Sequence, residues 1–225
     1  MDNIFAFGDS LTYGAWDEEG GWVGRLRKYI DEKNLDESSC FLYNLGISGN
    51  TSQDLISRFE KEVEARAGNN EENLFIVSVG VNDCMLNNET SLNNVSIENY
   101  TENLQKIIKL ANNYSKKIVF VGFFPVDESK VNPIPWKLGF SYENKYVEKY
   151  NHAMKSVAKE NSVYFIDIYK EVAKLDYKKF ITDGVHPNST GHKFIFEKVK
   201  SFLIKNKLIS SEKISDLGKL GVKIK

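Results

Sequence analysis

Ser10 follows Gly8 and Asp9 at the end of the apolar run Ile4, Phe5, Ala6 and Phe7. That pattern predicts a buried strand entering a tight turn with a hydroxyl on it. A serine hydroxyl is a poor nucleophile until a neighbouring base takes its proton. Far along the chain, Asp183 precedes His186 by three residues in a loop that continues into Pro187. An imidazole can be the base, and a carboxylate can orient it by accepting the Nδ1 proton. Two further groups could donate to the oxyanion of an acyl transfer. Asn82, within Gly80, Val81, Asn82 and Asp83, offers a side-chain amide, and Gly46 offers a backbone N–H that no side chain obstructs. These are the parts of serine ester hydrolysis.

The same residues admit other chemistry. Asp9, Asp83, Asp183 and His186 are oxygen and nitrogen ligands acceptable to a divalent ion, so a metal-dependent hydrolase is a second reading. A glycine followed by serine also occurs in plain turns, so a non-catalytic binding module on the same fold is a third. Of the three histidines, His152 falls in a helical stretch without a carboxylate arranged before it. His192 opens the last helix, where a cap or a supporting role suits it better than that of a base. His186 has both the loop setting and the preceding Asp183. Asp9 and Asp83 are expected to tie down turns by accepting backbone N–H groups. Cys84 reads as a small apolar residue. Trp22, Tyr146 and Tyr150 read as core.

The elements that must position these groups alternate between strand and helix. Residues 4–7, 41–45, 74–79, 118–123 and 163–168 are apolar, largely β-branched or aromatic runs that predict five strands. Helical spacing of apolar residues predicts helices over 22–34, 55–63, 100–111, 146–157 and 194–203. This alternation implies right-handed crossovers and a parallel sheet. The loops holding Ser10, Gly46 and Asn82 all follow strands, so they share the carboxyl edge of the sheet, where ligands bind. Residues 125–144 break the pattern, with Pro125, Pro133, Pro135, Trp136 and Phe140. Such a segment predicts a lid or a substrate wall. One catalytic domain over 1–208 and a charged tail over 209–225 complete the organisation.

Composition narrows the partners. The chain has 225 residues, 30 basic and 31 acidic, giving a net charge of −1. Near balance argues against nucleic acid as a partner over the whole surface. Two cysteines, Cys40 and Cys84, make neither a disulfide framework nor a zinc cluster. No apolar run approaches a membrane span, and no basic leader with a cleavage site precedes the first strand. A cytoplasmic location is therefore expected.

Four blocks in order carry a resemblance: Gly-Asp-Ser-Leu at 8–11, Asn-Leu-Gly-Ile-Ser-Gly at 44–49, Gly-Val-Asn-Asp at 80–83 and Asp-Gly-Val-His-Pro at 183–187. Together they resemble the SGNH (GDSL-type) esterase and lipase family. The resemblance implies a flavodoxin-like α/β/α sandwich with a five-stranded parallel sheet and no cofactor. It implies Ser10 as nucleophile and first oxyanion donor, Gly46 and Asn82 as further donors, His186 as base and Asp183 as its orienter. Small-molecule esters are the implied substrates: acetylated sugars, lysophospholipids, thioesters or simple aryl esters. The Gly-x-Ser-x-Gly elbow of the larger α/β-hydrolases is absent. The departures lie between the blocks, chiefly in 125–144, where the substrate would be chosen.

Overall fold

The computed structural model describes residues 1–32 and 40–209. All but the first residue of the tail over 209–225, and the end of the helix expected to reach Asn34, lie outside the described residues. Five strands form one parallel sheet: β1 (Asn3–Gly8), β2 (Phe41–Gly46), β3 (Asn73–Ser78), β5 (Ile118–Val121) and β7 (Tyr164–Ile166), in the order β2-β1-β3-β5-β7. All five expected strands are present. Every residue of β1 and β3 is buried, as a central parallel strand covered on both faces requires.

Helices cover both faces. On one side α2 (Gly21–Asp31) packs against α8 (Ser189–Lys205). On the other, α3 (Ser52–Glu64), α4 (Ile97–Ala111) and α6 (Asn144–Glu160) pack in succession. The result is the three-layer α/β/α sandwich. Phe5, Phe7, Phe59 and Phe75 stack across β1, β3 and α3 to form the centre of the core. Trp22 and Tyr150 are fully buried, as expected, whereas Tyr146 is only partly so.

After β1 the chain adds β2 on one side, then returns to lay β3 on the other. That reversal opens a crevice at the carboxyl ends of β1 and β3. Ser10 follows β1 and Asn82 follows β3, so the topology brings both to its rim.

The departures from expectation are local. The fifth strand stops at Ile166, because the Asp167 side chain accepts from Lys170 N and starts the short helix α7 (Ile168–Val172). Residues 125–144 are built up rather than open. They contain α5 (Glu128–Val131) and β6 (Phe140–Ser141), which pairs antiparallel with β4 (Leu86–Asn87). Asp127 N donates to Gly184 O, and Tyr142 N donates to Val131 O. The segment is fastened to the loop that carries Asp183 and His186, and so serves as a wall.

Candidate active site

Ser10 is the first residue of α1 (Ser10–Tyr13), a single turn capped by Asp9, whose Oδ1 accepts from Leu11 N at 3.0 Å. Gly8 permits this sharp entry. A Cβ there would sit 2.1 Å from Thr12 Oγ1 and 2.3 Å from the Ser78 carbonyl oxygen. The turn presents Ser10 Oγ to His186 Nε2 at 2.9 Å. His186 Nδ1 in turn lies 2.7 Å from Asp183 Oδ2. The carboxylate only accepts, so the proton sits on Nδ1 and Nε2 is left to face the hydroxyl. The loop sets this geometry locally: Asp183 Oδ1 accepts from Val185 N at 3.0 Å and His186 N at 2.9 Å. Burial disfavours the Asp183 carboxylate. The His186 ring and the two backbone donors outweigh it and hold the carboxyl well below its usual range.

Asn82 lies in the same cleft. Its Nδ2 donates to Asn50 O at 3.0 Å, and its Oδ1 accepts from Tyr142 Oη at 2.9 Å. The amide is gripped at both ends, with its second N–H left over. The cleft encloses about 850 Å³, and its walls include Tyr13, Trp16, Gly49, Trp136 and Tyr142. That is the size of a small-molecule site.

Gly46 requires correction. Its N–H donates to Asn44 Oδ1 at 3.0 Å, and it is not part of the cleft wall. Its lack of a side chain serves packing instead, because a Cβ would sit 2.1 Å from Tyr13 N. The glycine of this block that lines the cleft is Gly49.

A model of the GDSL-like Lipase/Acylhydrolase family matches residues 6–194. The chain belongs to that family. It is a carboxylic ester hydrolase. Among curated proteins, the acylhydrolase is 24% identical to an isoamyl acetate-hydrolyzing esterase 1 homolog of Mus musculus, over 86% of this chain and 78% of that protein. It is 25% identical to an acetylxylan esterase of Geobacillus stearothermophilus, over 66% of this chain and 65% of that one. Among solved structures, a lipase/acylhydrolase from Enterococcus faecalis superposes with a TM-score of 0.73 at 20% identity, covering 92% of this chain and 97% of that one.

The remaining candidates take structural places in the acylhydrolase. Asp83 is fully buried and accepts from Ser52 N at 3.0 and 3.1 Å and from Ser52 Oγ, which Asn103 also bonds. It ties the Asn82 turn to the start of α3. Burial pushes the Asp9 carboxyl up to about 7 and Asp83 up to about 6. Among the described residues, no three of His, Cys, Asp and Glu gather as metal ligands. Asp83 is committed to Ser52, and Asp183 and His186 to each other. Cys84 is buried, and burial pushes its thiol far up, which fits a small apolar residue. His152 is exposed on α6. His192 is not a cap: Asn188 caps α8 through Gly191 N, while the His192 ring is fully buried. Among the described residues, neither of its nitrogens meets a partner at full hydrogen-bond geometry. Burial pushes its pKa down to about 4, against the opposing pull of Asp17 and the Ala15 backbone. No helix among the described residues is long and apolar enough to cross a membrane.

Sequence reasoning missed Trp16, Tyr142 and Gly49. Trp16 and Tyr142 are aromatics in stretches without helical or strand period. Gly49 differs from Gly46 only in where the chain carries it.

Proposed function

We propose that this acylhydrolase is a serine esterase of small acyl esters working through an acyl-enzyme, with Ser10 as nucleophile, His186 as base and Asp183 as its orienter. The observation that carries the proposal is the continuous chain from Ser10 Oγ through His186 to Asp183 at 2.9 and 2.7 Å. Ser10 Oγ attacks the ester carbonyl as His186 Nε2 takes its proton. Asp183 stabilises the resulting imidazolium without taking a proton itself. The ring then gives that proton to the departing alkoxide, and the alcohol leaves. A water deprotonated by His186 attacks the acyl-enzyme, and Ser10 recovers its proton as the acid leaves.

The tetrahedral oxyanion needs fixed donors. The free N–H of the Asn82 amide is one. The backbone N–H of Ser10 is a second: the Asp9 side chain takes Leu11 N, and Ser10 N makes no bond among the described residues. Gly49 replaces Gly46 as the third, since it lines the cleft and its N–H makes no bond among the described residues. The two relatives named for acetate esters support a short acyl group, and the aromatic walls suit a ring-bearing or branched alcohol. Chelators leave such an enzyme unaffected.

The test is Ser10→Ala on purified protein with p-nitrophenyl acetate. Turnover is expected to fall to the background rate with an unchanged circular dichroism spectrum. Full activity in that variant would reject the nucleophile.

A further inference from the structure

Trp16 combines three features that its neighbours in the turn do not explain. Its backbone sits at φ +64°, a left-handed conformation uncommon for a bulky residue and a mark of local strain. Its side chain is 69% exposed, unusual for the largest hydrophobic residue. Yet its polar atom is turned inward: Nε1 lies 3.0 Å from Asp183 Oδ2 and 3.2 Å from His186 Nδ1. The indole meets the imidazole edge-on, with ring centres 5.9 Å apart and planes at 86°.

Only one of those two nitrogen contacts can be a hydrogen bond in the reacting enzyme. His186 Nδ1 carries its proton toward Asp183, so it has no lone pair to offer. The indole N–H therefore donates to Asp183 Oδ2. A carboxylate has about four acceptor sites. Here Val185 N and His186 N fill those of Oδ1, while the imidazole and the indole fill those of Oδ2. Trp16 supplies the fourth donor. It also belongs to the turn leaving the Ser10 helix, where Gly14 N and Ala15 N both donate to Ser10 O. The bond thus joins the nucleophile's element to the loop of the base.

We propose that Trp16 is a positioning residue for the ester hydrolysis: its indole N–H fixes the Asp183 carboxylate against the His186 ring and draws off part of its charge. The proposal rests on the assignment of Ser10, His186 and Asp183 above. Removing the donor leaves more negative charge facing Nδ1–H, which favours the protonated ring. Less of the enzyme then carries a free base at a given pH.

The test is Trp16→Phe, which keeps an aromatic wall and deletes the N–H, assayed with p-nitrophenyl acetate alone and in an Asp183→Asn background. The single variant is expected to lose about tenfold in kcat, with KM little changed. The acidic limb of its kcat/KM profile moves to higher pH. Asp9 from the α1 cap and His192 from α8 also interact with His186 by charge. Both are the same in wild type and variant, so the displacement reports Trp16. The effect is expected to vanish in the Asp183→Asn background, because residues acting through one bond are not additive. A rise in KM alone, or an equal loss in both backgrounds, would reduce Trp16 to a wall of the cleft and overturn the proposal. Ser10→Ala, run alongside, separates the failures. Activity there rejects the underlying triad; an inactive Ser10→Ala beside a wild-type-like Trp16→Phe rejects only the role of Trp16.

Discussion

Replacing Asn82 with alanine probes the oxyanion hole most directly. The amide is held by Asn50 O at 3.0 Å and Tyr142 Oη at 2.9 Å. It cannot rotate without breaking both bonds, so its remaining N–H is aimed before substrate arrives. A preorganised donor of this kind contributes about 2.7–4 kcal/mol to the transition state. Its removal should therefore lower the rate by about 10²–10³. Charge develops on the carbonyl oxygen only during attack, so the loss falls in kcat and KM stays near the wild-type value. The same substitution leaves the buried Tyr142 hydroxyl without its acceptor, at a cost of about 1–3 kcal/mol of stability. Initial rates over a range of p-nitrophenyl acetate concentrations separate kcat from KM, and a thermal melt records the stability cost separately. Tyr142→Phe gives a graded comparison. It keeps the donor but frees one end of the amide, and about fivefold in kcat is expected from one neutral hydrogen bond. A folded Asn82→Ala enzyme with kcat within about threefold of wild type would refute the reasoning. So would a change confined to KM, which would place the amide on the ground-state substrate.

Three further perturbations test the scaffold. Gly8→Ala drives a Cβ against the immobile Ser78 carbonyl; about 3 kcal/mol of overpacking lowers Tm by roughly 6–12 °C, and an unchanged melt would contradict the close approach of α1 to β3. Asp9 has its carboxyl raised to about 7, so the stability it contributes is present at low pH and lost as pH rises through about 7. Asp9→Asn should make the fall in Tm between about pH 4 and 7 shallower, and an identical slope in the two proteins would count against a buried, protonated Asp9. His192 works in the opposite direction: its pKa is depressed to about 4, so the neutral buried ring loses stability as pH falls from about 6.5 toward 4. His192→Phe should resist acid better across that window, and equal sensitivity in melts at pH 7 and pH 4.5 would rule out the buried ring as the cause.

The sequence by itself determined the elements and the order of the reactive blocks. Runs such as Ile4 to Phe7 and Leu74 to Val77 are apolar on both faces, as a central parallel strand covered on both sides requires. Asp183 and His186 could be paired from the chain alone, because three residues of one loop close that contact and its backbone N–H groups orient the carboxylate. The two short strands β4 and β6 escaped notice, since two residues carry no period.

What tertiary structure decided lies between segments far apart. Ser10 meets His186 across 176 residues, Trp16 reaches Asp183 across 167, and Tyr142 grips Asn82 across 60. Pattern and turn chemistry act over a few neighbouring residues, and they say nothing about which way a side chain turns once sheet register and helix packing are set. Gly46 and Gly49 show this within one block. Gly46 is the last residue of β2 and Gly49 lies just beyond it. The packing of α1 against β2 puts the first under a backbone and leaves the second on the cleft.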